Sequence, residues 1–280
     1  MSGLKKFASD KIWVVTGAGG GIGLEMVRLI AQQHGVVWAI DRDGPALEAL
    51  SQESLREGWD IYTQCLDVVD QLAIEQTVAK ILKTSKRIDV WINNAGVQRV
   101  GSFLGMSSQD FDLVMNVNFL SVVRITRTVL GLMQHQGSGL ILNLGSVAGH
   151  VPSPFMSAYV AAKHAVVGFS KSLQAELVMM MSPVRVSFAS PGFVNTPILD
   201  RGGAKGFPNW LSWMVSEPTA CAAEILTKLA KGDGEIYPTL SGRLMRTAYA
   251  LAPKSTVKSS KILLTKGFGS FLLNRFQAPQ

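Results

Sequence analysis

The sequence predicts a single α/β domain in which a doubly wound parallel sheet of about seven strands carries helices on both faces. Short apolar runs alternate with helical patterns up to residue 237, which is typical of βαβ units around a parallel sheet. A glycine-rich segment at residues 16–23 lies between the first run and the first helical pattern. The length of 280 residues suits one large domain of this class.

Each predicted element has a local signal. The strands are expected at residues 12–15, 36–40 (ending at Asp41), 61–66, 90–92, 140–144, 184–189 and 235–237. The first helix carries Ile22, Met26 and Ile30 on one face and ends at Gly35. Further helices are expected near 45–57, 70–85, 108–135, 158–180 and 217–231. Pro218 suits the first turn of the last of these.

Two regions depart from this alternation. We expect residues 1–237 to form the catalytic domain, including an insertion at 196–216 in which glycines flank Phe207, Trp210, Trp213 and Met214. An insertion after the sixth strand lies at the carboxyl edge of the sheet, where ligands bind in doubly wound folds. Residues 238–280 form a basic, partly helical C-terminal extension.

Composition narrows the class of protein. A hydrophobic content of 47% with 17% charged residues indicates a folded globular chain. The net charge of +7 comes from the C-terminal end, because seven cations and no acidic residue follow Glu235. The body is therefore neutral, and nucleic-acid binding is not expected. Neither a signal peptide nor an apolar window of about 20 residues is evident, so a cytoplasmic protein is expected. Cys65 and Cys221 are expected to be buried apolar residues, and no metal-ligand cluster is seen.

The chemistry is concentrated in one constellation. Tyr159 and Lys163 are four residues apart and so project from one face of a helix. An ammonium group placed there can lower the pKa of the phenol. Ser146 lies 13 positions upstream, and Asn93-Asn94-Ala95-Gly96 follows the fourth predicted strand. A phenol with these neighbours is suited to proton transfer.

Together with the Thr-Gly-x-x-x-Gly-x-Gly loop, these motifs resemble the short-chain dehydrogenase/reductase family over roughly residues 10–237. The resemblance implies a Rossmann fold, with Tyr159 as general acid/base, Ser146 holding the substrate oxygen and Lys163 assisting Tyr159 and binding the nicotinamide ribose. Asn118 matches the family asparagine that holds a water near Lys163, and Asn116 is the neighbouring candidate. His34, His150 and His164 are expected at helix ends or pocket walls. Gly145 departs from the family pattern, in which a second serine commonly precedes Ser146.

The resemblance also implies an NAD site. Gly17, Gly21 and Gly23 would let the backbone approach a pyrophosphate at a helix N-terminus. Asp41, 24 residues after Gly17, would bind the adenosine ribose and repel a 2′-phosphate. A turn-capping role for Asp41 remains an alternative. Arg42 could instead favour a phosphate, whereas Gly20 lacks the basic side chain common in NADP-binding relatives, so NAD is predicted.

The remaining expected cofactor contacts are also implied by the family. Asp67 and Val68 would contact the adenine, and Asn94 would brace the central strands. Val194 and Thr196 would bind the nicotinamide carboxamide, and Ile22 would pack on its ring.

The expected substrate is an apolar secondary alcohol or ketone of steroid, lipid, terpenoid or aromatic type, because the pocket positions are mostly apolar. These positions are Gln98, residues 150–156, Phe193 and residues 197–216. A homodimer or homotetramer is expected. The alternative is a non-catalytic NAD-sensing or scaffolding protein on the same fold, although such proteins typically lose the tyrosine or the lysine.

The C-terminal extension allows two interpretations. Leu244, Met245, Ala248, Leu251 and Ala252 fall on one helical face until Pro253. This segment either packs on its own body or a second subunit, or contacts an anionic membrane through its cations and apolar residues.

Overall fold

The protein is described by a computed structural model over residues 2–196 and 213–255. Seven strands form a parallel sheet in the order β3-β2-β1-β4-β5-β6-β7. The strands are β1 Ile12–Thr16, β2 Val36–Asp41, β3 Ile61–Cys65, β4 Val90–Asn93, β5 Gly139–Leu144, β6 Val184–Ala189 and β7 Glu235–Ile236. The order reverses between β1 and β4, so a crevice opens there at the carboxyl edge. The predicted fold class is confirmed.

Helices connect the strands and cover both faces of the sheet. They are α1 Ser2–Ala8, α2 Gly21–Ala31, α3 Gly44–Glu57, α4 Gln71–Ser85, α5 Ser108–Met115, a π-helix Asn116–Leu120, α6 Ser121–Gln136, a 3₁₀ turn Val147–Gly149, α7 Ser157–Met179, α8 Pro218–Lys231 and α9 Leu240–Leu251. Local chemistry sets several helix ends. The side chains of Asp43, Asp70 and Ser107 cap the N-termini of α3, α4 and α5, while Gly58 and Gly137 end α3 and α6 in the left-handed conformation.

Two apolar cores lie on opposite faces of the sheet. One packs α2 and α8 against the sheet and includes Trp13, Met26, Ile30, Ile225 and Leu226. The other packs α4, α6 and α7 against the opposite face and includes Trp38, Ile74, Trp91, Val129 and Leu177. Because strands of a parallel sheet are covered on both sides, their side chains are almost continuously apolar.

Three features of the fold were not predicted from the sequence. Helix α1 precedes the first strand, and its Phe7 ring lies edge-on to Trp13 at 5.4 Å. The long helix predicted at 108–135 contains a π turn at Asn116–Leu120. The whole segment Ser108–Gln136 is long and apolar enough to cross a membrane by length and composition alone, which the sequence analysis did not anticipate. Its apolar side packs on the sheet as a core helix.

The expectation for the cysteines was half wrong. Cys221 is buried in α8, whereas Cys65 is exposed because it ends β3, the strand at the edge of the sheet. Most of the predicted 196–216 insertion, including Leu199 and Trp210, lies outside the described residues.

Candidate active site

The glycine loop between β1 and α2 is packed too closely for side chains at two of its positions. Gly17 has a left-handed φ of 68°, and a Cβ there would lie 2.7 Å from the Ala95 Cα. A Cβ on Gly23 would overlap the Gly17 carbonyl oxygen. These glycines therefore hold the start of α2 against the end of β1.

The N-terminus of α2 is open on one side. A Cβ on Gly20 would have no neighbour within 4 Å among the described residues, and no side chain caps the helix at this position. Gly21, with a φ of 56°, faces the Thr196 methyl group. Backbone N–H groups at an uncapped helix N-terminus attract anions, so this loop fits a pyrophosphate.

Asn94 and Thr16 join the loop to β4. The Asn94 Nδ2 donates to the carbonyl oxygens of Thr16 and Gly17, each at 3.0 Å. The buried Thr16 Oγ1 accepts from the backbone N–H groups of Asn94 and Ala95 at 3.0 and 3.1 Å. Asn94 thus braces the central strands as expected, and Thr16 is a second brace to which the sequence analysis assigned no role.

Asp41 organises the turn after β2. Its Oδ2 accepts from the Gly19 N–H at 2.8 Å and its Oδ1 accepts from the Asp43 N–H at 3.0 Å. The turn-capping alternative is therefore correct, and it leaves a carboxylate beside the glycine loop.

At the adenine end, Arg42 forms an ion pair with Asp67, at 3.8 Å between Nη1 and Oδ2. Asp67 Oδ1 also accepts from the Val69 N–H at 3.1 Å, and Val68 is buried in the core. The pair directs the guanidinium toward a neighbouring carboxylate, which competes with any phosphate for it.

The predicted nicotinamide contacts lie close to the same loop. Val194 is buried and forms a bridge with Ser216, and the Asn195 N–H donates to the Ser216 carbonyl at 3.0 Å. Thr196 Oγ1 donates to the Val194 carbonyl at 3.3 Å. Ile22 is half-buried against the core of α2 and α8. The residues predicted for both ends of the cofactor site therefore lie near the carboxyl end of the central strand β1.

The turn after β6 is fixed from the C-terminal extension. Thr239 Oγ1 accepts from the Gly192 N–H at 2.8 Å, and Ser241 Oγ accepts from the Phe193 N–H at 3.2 Å. The sequence does not predict these contacts, because the side chains that make them lie 45 or more positions further along the chain.

Tyr159 is the centre of the predicted chemistry. Burial raises the pKa of the Tyr159 phenol, and the Ser146 side chain beside it acts in the opposite direction with a smaller effect. Ser146 Oγ also accepts from the Ala148 N–H at 3.1 Å, so the serine caps the turn that carries it. The two hydroxyls predicted to meet substrate are therefore adjacent.

Lys163 is buried, and its Nζ donates to the Leu144 carbonyl oxygen at 2.7 Å. The Nζ lies 5.7 Å from the centroid of the Tyr159 ring. Burial lowers the Lys163 pKa to about 8. The expected lowering of the Tyr159 pKa by Lys163 is not what this arrangement produces, because desolvation dominates both groups.

Asn118 lies in the π turn, fully buried. Its Nδ2 donates to the carbonyl oxygens of Val97 and Val114, each at 2.8 Å, and its Oδ1 accepts from the Val97 N–H at 3.2 Å. Ser121 Oγ similarly donates to the Val117 carbonyl at 2.7 Å, while the Ser121 N–H bonds five residues back to Asn116. Ser121 pairs with a carbonyl group of the π turn, whereas Asn118 joins that turn to α5 and to the loop after β4.

The region behind Ser146 contains a histidine and a second serine. His150 Nε2 lies 2.9 Å from the buried Ser190 Oγ, and its ring packs 5.4 Å from Tyr237. A Cβ on Gly145 would lie 3.1 Å from the Ser190 Oγ. Gly145, which departs from the family pattern, therefore lies beside the hydroxyl group of Ser190, the residue that follows β6. Burial lowers the His150 pKa to about 4, helped by Arg246 and Lys171.

A cavity of about 370 Å³ lies between the loop that follows β4 and the loop that follows the 3₁₀ turn. It is lined by Gly101, Ser102, Phe103, Pro152, Ser153, Pro154, Phe155, Ser157 and Val160. Ser157 Oγ is buried without a hydrogen-bond partner among the described residues. The Gly101 N–H donates to the Phe155 carbonyl at 2.9 Å, which ties the two loops together. The lining is mainly apolar, although Ser146 and Tyr159 do not contribute to it.

Comparisons with known proteins agree with this geometry. A family model for short chain dehydrogenases matches residues 11–205. The 3-oxoacyl-[acyl-carrier-protein] reductase of Thermotoga maritima is 34% identical over 191 residues, which cover 68% of this chain and 77% of the relative. The NAD(+)-dependent 15-hydroxyprostaglandin dehydrogenase of Rattus norvegicus is 31% identical over 198 residues, covering 69% and 71%.

Solved structures give the same result. A short chain dehydrogenase/reductase from Burkholderia phymatum, in complex with NAD, superposes with a TM-score of 0.77 at 25% identity. The match covers 87% of this chain and 95% of that chain. The likeness therefore extends over nearly the whole described sheet and its helices.

Proposed function

The chain belongs to the short-chain dehydrogenase/reductase family of oxidoreductases, and we propose that it transfers a hydride between NAD(H) and an apolar secondary alcohol or ketone. The observation that carries the proposal is that Ser146 and Tyr159 come together from separate elements next to the buried Lys163, whose Nζ lies 5.7 Å from the centroid of the Tyr159 ring. Two adjacent hydroxyl groups can bind one substrate oxygen together.

The preference for NAD is supported by charge. Asp41 presents a carboxylate beside the glycine loop, while Arg42 is paired with Asp67. The Asp41 carboxylate would repel a 2′-phosphate, and the paired Arg42 would not be free to bind it. The rat relative is named as an NAD(+) dehydrogenase, and the Burkholderia structure is a complex with NAD. Both support the same choice.

Gly17, Gly21 and Gly23 would let the backbone hold the pyrophosphate. Asp41 would bind the ribose, and Val194 and Thr196 would bind the nicotinamide end. When bound, NAD(H) supplies the hydride acceptor or donor. Asp67, Val68 and Asn94 would support the adenine end and the central strands.

In the direction of reduction, the Tyr159 phenol donates its proton to the carbonyl oxygen, and in oxidation the Tyr159 phenolate accepts the proton of the substrate hydroxyl. Ser146 donates a hydrogen bond to the same oxygen and so orients an alcohol or polarises a carbonyl. Lys163 can offset the rise in the Tyr159 pKa only through its charge, which is retained below a pH of about 8. Asn118 positions the loop after β4 in this scheme, through its three hydrogen bonds to Val97 and Val114.

An apolar substrate is supported by the lining of the cavity, where Phe103, Phe155 and two prolines lie. Apolar walls with few polar groups favour ligands of the same kind. The two relatives are named for a 3-oxoacyl carrier substrate and a hydroxyprostaglandin, so acyl and lipid compounds belong in the first test set.

The test is a panel of apolar secondary alcohols, ketones and 3-oxoacyl thioesters, assayed with purified protein by NADH absorbance. Sugars and short hydroxy acids serve as polar comparisons. We expect turnover with at least one apolar class and a specificity constant favouring it over the polar set. Turnover only with the polar compounds would contradict the proposed substrate class, and a failure of every compound to react would contradict the catalytic proposal.

A further inference from the structure

Helix α9 is attached to the body by its polar first turn. Thr239 Oγ1 accepts from the N–H groups of Gly192 and Gly242, at 2.8 and 3.1 Å, and the buried Ser241 Oγ accepts from Phe193. The Arg246 guanidinium adds a contact 4.5 Å above the Tyr237 ring. These contacts fix which side of the helix faces the protein.

The opposite side of α9 carries exposed leucines. Leu240, Leu244 and Leu251 are 52%, 47% and 82% exposed. Positions four and eleven residues along a helix lie on nearly the same side, since a turn has about 3.6 residues. The apolar residues predicted to share one helical face do not all have the same exposure: Met245 is half-buried, whereas Leu244 and Leu251 are exposed. We call the three residues the leucine stripe.

The charged residues of α9 and of the segment that follows it are all cations. Arg243 is exposed beside the leucine stripe, Lys254 is exposed just after the helix, and no acidic residue follows Glu235 in the chain. A symmetric contact between two copies would bring these cations together without an acid to pair them. Residues 256–280 carry four more cations and no acid. Charge therefore does not favour packing of that segment on the leucine stripe either.

Other exposed apolar residues occur at the same edge of the sheet. Phe103 and Leu104 lie on the loop that follows the carboxyl end of β4, and they are 69% and 96% exposed. Thr239 binds the turn that follows the carboxyl end of β6. The N-terminal end of α9, where the leucine stripe begins, thus lies at the carboxyl edge of the sheet, where ligands bind in folds of this kind.

From these observations we propose that α9 is a docking helix for anionic lipid membranes, with the leucine stripe inserted at the interface and Arg243 and Lys254 at the headgroups. An amphipathic helix with cations beside its apolar face binds in this way, by combining apolar burial with attraction to acidic lipids. The proposal does not depend on catalysis, because docking uses none of the residues assigned to the reaction.

The test is co-sedimentation of the full-length protein with two kinds of vesicle, one of phosphatidylcholine alone and one with about a third of its lipid as phosphatidylglycerol. We expect binding to the anionic vesicles, weakened by salt. Removal of one cation near such a surface weakens binding about fivefold, so Arg243→Glu should weaken it by at least about tenfold. Leu244→Ser with Leu251→Ser should weaken it similarly.

The matched controls lie on α3, where Leu55 and Arg56 are also exposed. Leu55→Ser and Arg56→Glu should bind as the wild type does. Equal binding to both kinds of vesicle, or no binding to the anionic kind, would overturn the proposal. So would a leucine-stripe variant that keeps full vesicle binding, because another segment would then be the anchor. A change in oligomeric state in the leucine-stripe variant, without vesicle binding in the wild type, would assign the face to a second copy instead.

Discussion

Gly149 approaches the backbone of Lys163 so closely that a Cβ on Gly149 would lie 2.6 Å from the Lys163 carbonyl oxygen. The same Cβ would lie 2.9 Å from Val167 Cγ2. This contact seats the turn carrying Ser146 directly on the helix that carries Tyr159 and Lys163. The reach of the serine to the phenol therefore depends on a glycine three residues after the serine.

Gly149→Ala is expected to lower kcat and to destabilise the fold by about 1–3 kcal/mol, because the turn must move away from α7. Gly168→Ala is the matched control, since a Cβ there would have no neighbour within 4 Å among the described residues. That change should stabilise α7 by about 0.5–1 kcal/mol. Turnover and urea unfolding of both variants test this, and wild-type kcat in Gly149→Ala would show that the close approach is not needed.

Tyr159→Phe is expected to reduce turnover by at least about a hundredfold, because the proton carrier is lost while the ring still packs. NADH binding, measured by fluorescence titration, should remain nearly unchanged. Tyr62→Phe is the control, since Tyr62 is an exposed phenol stacked on Trp38 at the far edge of the sheet. Retention of more than a small fraction of the wild-type rate by Tyr159→Phe would remove Tyr159 from the general acid/base role.

Asp41→Asn is expected to lower the ratio of kcat/KM for NADH over NADPH by about tenfold or more, because it removes the charge that binds ribose hydroxyls and repels a 2′-phosphate. The amide can still accept a hydrogen bond from the Gly19 N–H, so the loop should persist. Adding Arg42→Ala should then reduce activity with NADPH, since Arg42 would otherwise turn from Asp67 to the phosphate. A wild-type preference for NADPH would contradict the prediction.

Asn118→Ala is expected to lower the free energy of unfolding by about 2–4 kcal/mol, because buried groups of Val97 and Val114 lose their partners. Asn116→Ala in the same π turn is the control, since the described structure gives its side chain no hydrogen bond. Urea unfolding measures both changes. Equal losses in the two variants would show that the hydrogen bonds of Asn118 add no particular stability.

His150 should make stability depend on pH. Its pKa is lowered from 6.5 to about 4, first by burial and then by Arg246 and Lys171. The unfolded chain therefore takes up the proton at higher pH than the folded chain, and stability is lost as pH falls from about 6.5 to 4. The nearby Glu235 acts in the opposite direction but does not prevail.

His150→Gln keeps a group able to hydrogen-bond Ser190 but does not titrate, so it should flatten the stability profile in this pH window. His135→Gln, at an exposed position of α6, is the control and should leave the profile as it is. Unfolding free energies measured across the window decide between these outcomes. An unchanged slope in His150→Gln would mean that other groups set it.

Local pattern was enough to locate the strands. The prediction for β6, residues 184–189, coincides with the observed Val184–Ala189, because β-branched or aromatic residues at alternate positions (Val184, Val186 and Phe188) favour a strand. The helix carrying Tyr159 and Lys163 was also found, since a period of 3.6 residues shows in the sequence. Helix α1 was missed because seven residues give too short a periodic signal.

The sequence by itself determined the succession of strands and helices along the chain, the glycine loop and the residue types of the candidate site. Tertiary structure alone decided that burial raises the Tyr159 pKa and lowers that of Lys163, that Arg42 pairs with Asp67, and that the leucine stripe of α9 faces outward. The physical reason is that hydrophobic period and turn chemistry act between neighbours in the chain. Desolvation, ion pairing and close backbone approach depend on distances between segments that are far apart in sequence.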